Sequence, residues 1–64
     1  MGKQIIPFQV YSSVKVKDET LERHGQVGVV IGSTDDAETP VEVKFDVEGG
    51  YKVEHYAIES LEGL

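Results

Sequence analysis

From Val41 to Val47 apolar and polar positions alternate without a miss. Val41, Val43, Phe45 and Val47 fall on one side, Glu42, Lys44 and Asp46 on the other. Four successive matches to a period of two describe a strand with one buried face and do not fit a helix. The stretch Gln26-Val-Gly-Val-Val-Ile-Gly32 reads as its partner strand, with Val27, Val29 and Ile31 on one face and Gly28, Val30 and Gly32 on the other. Glycine inside a strand marks a bend, a bulge or the close approach of another backbone. Two glycines on one face therefore predict a strand that curls to close a small barrel. Val14-Lys-Val-Lys17 alternates as a short strand with its valines inward. Glu48-Gly49-Gly50 predicts a tight turn of the primed hairpin kind. Tyr51–Tyr56 follows as the next strand, with Tyr51, Val53 and His55 sharing a face.

The intervening segments are punctuation. Asp18–Gly25 is polar except for Leu21 and too short to stand as a helix. It reads as a structured loop with Leu21 tucked beneath it and Gly25 supplying a positive φ. Ser33–Pro40 is a loop by composition. Ala57–Leu61 suits one 3-10 turn before a last short strand. Residues 1–11 carry a weak alternation (Ile6, Phe8, Val10) broken by Pro7, which allows a lead-in or an edge strand but not a central one. The expected organisation is residues 1–11 as that lead-in and residues 12–64 as one all-β domain, a small barrel of about five antiparallel strands.

Composition narrows what such a domain can be. Sixty-four residues bury only about 60% of their unfolded surface, so the core needs help from barrel closure, a metal or oligomerisation. With no cysteine, disulfides, thiolate metal sites and cysteine nucleophiles are all excluded. No apolar run approaches the roughly 18 residues of a membrane span. The N-terminus offers only Ile5-Ile6 before Pro7, far short of a signal-peptide core. The expectation is a cytoplasmic protein. Its net charge is −6, unevenly spread: residues 1–17 hold Lys3, Lys15 and Lys17 and no acid. All 12 acids lie beyond, against Arg23, Lys44 and Lys52. An acidic domain repels the phosphate backbone, which counts against nucleic acid as a general partner. The acids keep a small domain soluble or offer a face to a basic partner.

The order of parts resembles a small barrel of the Src-homology-3 type, carried over about residues 12–62. The motifs are V-x-V (Val14, Val16), G-x-V-G-x-V (Gly25, Val27, Gly28, Val30), P-V-x-V-x-F-D (Pro40 to Asp46) and a closing Tyr56, Ala57, Leu61, Glu62. Together they look like two families, the small stromal barrel protein of photosystem I and the variable subunit of ferredoxin–thioredoxin reductase. That likeness implies a non-catalytic accessory subunit docking on a larger protein. Gly25-Gln26-Val27 also resembles the start of a KOW element, which implies a ribosome or nucleic-acid contact through the Lys-bearing third. Val53-Glu54-His55-Tyr56 resembles the V-Q-I-Y motif of type II plasmid dihydrofolate reductases, with Glu54 in place of Gln and His55 in place of Ile. That third likeness implies an enzyme only as a tetramer with a shared pore that takes NADPH.

Read by themselves, the residues carry no catalytic constellation. His24 and His55 have no metal-ligand spacing. His24 reads as solvated, and His55 as a hydrogen-bonded barrel histidine. Asp35, Asp36 and Glu38 lack the calcium-loop pattern and read as a solvated turn. No phosphate cradle or nucleophile motif is present, and no cofactor is expected. The aromatics are the better lead. Phe45 reads as core and Tyr51 or Tyr56 as a cap on the barrel; the functional alternative is a groove of exposed Tyr11 and Tyr56 beside the 18–25 loop. The candidate partner-binding set is Tyr11, Tyr51 and Tyr56 with the acids Glu22 and Glu54, suited to a basic or proline-containing peptide. The expected function is a protein-binding module or accessory subunit that docks on a larger protein or forms a homo-oligomer.

Overall fold

The computed structural model describes residues 4–64. Five strands form one antiparallel sheet: β1 (Ser13–Val16), β2 (Val27–Ser33), β3 (Val41–Val47), β4 (Gly50–Tyr56) and β5 (Leu61–Gly63). A 3-10 turn, Ile58–Ser60, precedes β5 as the sequence predicts. The strand order is β4-β3-β2-β1-β5. Each neighbour pair is antiparallel. The expected ring closure does not appear as a ladder, because β4 and β5 remain the outer strands. No helix among the described residues is long and apolar enough to cross a membrane.

One face of the sheet encloses the core of Val14, Val16, Val30, Val41, Val43, Phe45, Tyr56 and Leu61. The period-two reading of β1 and β3 places Val14, Val16, Val41, Val43 and Phe45 as found. Ile6, Phe8, Leu21 and Ile58 pack on as a half-buried fringe, so the 18–25 loop does tuck Leu21 under itself. Residues 4–11 form no strand. They are fastened to the sheet by the Gln4 N–H donating to the Thr34 carbonyl (2.8 Å) and the Tyr11 N–H donating to Val30.

The two β2 glycines differ. Gly28 sits where β3 comes closest. A Cβ placed on it would lie 2.6 Å from Val43 Cγ1 and 2.9 Å from both the Lys44 carbonyl oxygen and Phe45 Cδ1. Only hydrogen fits there. Gly32 lies at a register shift between β2 and β3, in which Val30 pairs Val43 but Gly32 pairs Glu42. Ile31 is thus the extra residue of a bulge, which bends and twists its strand.

One expectation changes, and the two faces of β4 become assigned. The β3–β4 turn is not of the primed kind, because Glu48 carries a Cβ and keeps a negative φ. Positive φ falls instead on Gly49 (86°) and Gly50 (153°). On β4 the face with Tyr51, Val53 and His55 is the solvent side, and Lys52, Glu54 and Tyr56 stand across from Phe45, Val43 and Val41 on the core side. His55, read as a hydrogen-bonded histidine of the sheet, has its Nε2 3.2 Å from Glu42 Oε2, on a side chain about half exposed.

The Gly28 contact generates a direct prediction. Gly28→Ala must push Val43, Phe45 or the β3 backbone aside, and overpacking of this kind costs about 1–3 kcal/mol. Gly32→Ala meets only the flexible Glu42 carboxylate, at 3.3 Å, and is expected within about 1 kcal/mol of wild type once the loss of a strand glycine's freedom is included. Chemical denaturation of the two variants side by side checks this.

Candidate functional site

The 18–25 loop builds its own frame. The Asp18 carboxylate accepts from the Thr20 N–H (2.9 Å) and hydroxyl (2.6 Å). These bonds hold it below the usual carboxylate range. The Leu21 and His24 N–H groups donate to the Asp18 and Leu21 carbonyls, and Gly25, at φ 88°, donates to Val16. The result is a compact turn that returns the chain to β2 and aims Arg23 back over the core.

Arg23 is the tie between loop and sheet. Its guanidinium carbon lies 4.9 Å from the centre of the Phe45 ring. Nε donates to Glu54 Oε1 at 2.7 Å and an η nitrogen to Gln26 Oε1 at 3.1 Å. Glu54 Oε1 also accepts from the Tyr56 hydroxyl at 2.7 Å. The Tyr56 ring meets Phe45 edge-on, with centres 5.8 Å apart and planes at 73°. Arg23 and then Tyr56, by hydrogen bonding, hold the Glu54 carboxyl below its usual range. Burial first, and the bond to Glu54 second, push the Tyr56 phenol well above its ordinary value. Both groups keep one protonation state across neutral pH: Glu54 charged, Tyr56 neutral. The cluster works as a lock, in which a charged pair at the core margin fastens a loop to an outer strand.

Beside this lock lies a cleft of about 280 Å³ lined by Leu21, Glu22, Arg23, Glu54, His55 and Tyr56. It brings together three of the five sequence-predicted residues, Glu22, Glu54 and Tyr56. Tyr56, expected among the exposed aromatics, is buried (7% exposed) and shows the cleft only its rim. Tyr11 and Tyr51 lie outside the cleft and are exposed, at 80% and 62%. Tyr11 holds a positive φ of 72°, alone among the described non-glycine residues. Sequence reasoning misses Arg23 as a site residue because its partner lies 31 positions away, and no local pattern links them.

The second candidate surface is the solvent face of the sheet. Register sets Ser13, Val29, Lys44 and Val53 in one row across four strands. Tyr51, Val53 and Val27 stand exposed on this face, and the Lys44 ammonium lies 4.8 Å from the Tyr51 ring centre. In the β2–β3 loop, Asp36 accepts from the Glu38 N–H (2.9 Å) and the Thr39 hydroxyl (3.1 Å). It therefore knits the acidic turn internally. No cluster of three or more metal-ligating side chains occurs among the described residues.

These features define a small all-β antiparallel-sheet domain with a locked loop and a solvent face of mixed polarity that exposes Tyr51, Val53 and Val27. No protein-family model matches the chain, and no curated protein matches it in sequence.

The lock and two hydrogen-bonded loop carboxylates set the acid response. Native Glu54, Asp18 and Asp36 all titrate below their ordinary values. Their contribution to stability is present above those values and is lost as pH falls through the native ones. Unfolding free energy is expected to decline below about pH 4.5, with a shallower decline in Glu54→Gln. Tyr56→Phe removes one bond to a charged acceptor and is expected to cost about 1–2 kcal/mol at pH 7. That difference narrows in acid as Glu54 takes up a proton. Urea titrations at stepped pH measure both.

Proposed function

We propose that this domain is a non-catalytic protein-binding module, an accessory subunit that docks on a larger protein through the solvent face of its sheet. The supporting observation is the exposure of Tyr51, Val53 and Val27 together on that one face; the other exposed large apolar side chains among the described residues, Ile5, Val10, Tyr11 and Leu64, lie in the lead-in and at the last residue, outside the strands. Tyrosine and β-branched side chains give contact area at little entropic cost. Lys44 stands among them, between Val29 and Val53, and Glu42, Asp46 and His55 add polar groups to the same face. The chain's net charge of −6 favours a basic partner surface and speeds its encounter. The strand order, with its 3-10 turn before the last strand, agrees with the Src-homology-3-like likeness of the sequence, and that family reading belongs to the same proposal. Tyr11 supports a presented aromatic in addition. A left-handed backbone costs a residue with a Cβ roughly 1–2 kcal/mol, and here it holds out an exposed ring.

A photo-reactive phenylalanine analogue at position 51 tests the proposal. Crosslinking in lysate of the source cells is expected to capture one dominant protein, with capture suppressed by excess unmodified chain. Val53→Ser and Val27→Ser, both surface changes that leave the fold intact, are expected to weaken capture at least about tenfold, roughly 1.4 kcal/mol. Capture unaffected by either change, or none that excess chain suppresses, argues against this face as the docking surface.

A further inference from the structure

β4 is a seven-residue outer strand. Among the described residues its backbone makes no hydrogen bond beyond the ladder with β3. A long bare edge is a template for another strand. What that strand is can be read from β4 itself, Gly50-Tyr-Lys-Val-Glu-His-Tyr56.

We infer that the chain forms a two-fold dimer by antiparallel pairing of β4 with β4 of a second copy, centred on Val53. In that register Val53 faces its own copy once, on the two-fold axis, while Lys52 faces Glu54, Tyr51 faces His55 and Gly50 faces Tyr56, each of these three pairings occurring twice. Antiparallel strands keep their faces only if the register shifts by whole side-chain periods. The neighbouring permitted registers centre on residue 52 or 54, setting Lys52 against Lys52 or Glu54 against Glu54, and like charges directly opposite are destabilising. The register with full overlap of all seven residues is thus also the one that pairs opposite charges.

The side chains are placed for it. Lys52 has no ion pair among the described residues. Both hydrogen bonds to Glu54 fall on Oε1, which leaves Oε2 for a second cation. The strand end that must pass the 18–25 loop, opposite Tyr56, is the incoming copy's Gly50, which has no side chain to collide with Leu21 or Glu22. Pairing extends the sheet from five to ten strands and sets two solvent faces side by side. It also supplies the oligomeric support that a 64-residue core calls for. The interface is isologous, so it closes at two copies and does not propagate.

Light scattering after size-exclusion chromatography, over a dilution series, gives the solution mass. A concentration-dependent dimer is expected. Lys52→Glu turns two attractive pairs into repulsive ones and is expected to raise the dissociation constant about tenfold or more, with the circular-dichroism spectrum and monomer stability preserved. The chain has no cysteine, so Val53→Cys gives a clean register probe. Mild oxidation is expected to link Val53→Cys into covalent dimers and to leave Tyr51→Cys unlinked, since residues 51 of the two copies stand beyond disulfide reach in this register. A monomer at every concentration overturns the inference. So does a dimer indifferent to Lys52→Glu, or one in which position 51 links and position 53 does not.

Discussion

The Phe45 ring holds the structure together, and its neighbours are chosen to suit it. It is the largest fully buried side chain. Beneath it Gly28 gives up its side chain so that the ring can lie against β2. Tyr56 meets it edge-on, the arrangement in which a positive ring edge faces a negative face. Arg23 lays its guanidinium over the remaining face, where Glu54 and Gln26 accept its hydrogen bonds and the side chain is only 16% exposed. Removing a buried Phe costs about 3–5 kcal/mol, a sum close to the whole stability of a domain this size. A single ring thus sets a glycine in β2, a tyrosine in β4 and an arginine in a loop. Glu54 is then required to hold the arginine in place.

This chain of dependence explains which parts were legible in the sequence. β3 announced itself because every inward position is apolar and every outward one polar. The 3-10 turn and the Leu21 loop followed from length and from one apolar residue in a polar run. Which face of β4 is buried was not legible, because its apolar residues Tyr51 and Val53 point to water while Lys52 and Glu54 point toward the core margin. Periodicity assigns faces by hydrophobicity, and an outer strand is where that assignment fails. Water reaches both sides there, and a carboxylate can be kept if something charged comes to meet it. Arg23 is that something, and a pair formed across 31 residues leaves no trace in local spacing. The barrel closure expected from Gly28 and Gly32 is not seen as a ladder between β4 and β5, for a related reason. Gly28 answers a close approach and Gly32 a bulge, two local needs that curve a sheet without obliging its outer strands to meet.

The lock is modest in energy and considerable in geometry. Glu54 is about 38% exposed on its side chain, so solvent screens the pair and its net contribution is small. Its value lies in where it fixes things: the loop over the ring, the phenol in its neutral form and the carboxylate on β4 in its charged form. Inward-pointing charges on an outer strand are a known guard against indiscriminate strand pairing. Here Glu54 is held ionised by the same contacts that hold the loop, so folding itself arms the guard.

The two margins of the sheet are managed differently. β5 is three residues long and the Phe8 ring lies against its Gly63, so little backbone is offered there. β4 is seven residues long, flanked by an open cleft on the core side and by exposed Tyr51 and Val53 on the other. A guard made of one Lys and one Glu, two residues apart, rejects strands that bring like charge to either position. It admits a strand that carries the reversed order. An antiparallel copy of β4 presents that reversed order, so the device that protects this margin from general aggregation also specifies its own complement. Selectivity of this kind needs no additional residues, only that Lys52 and Glu54 stand symmetrically about Val53.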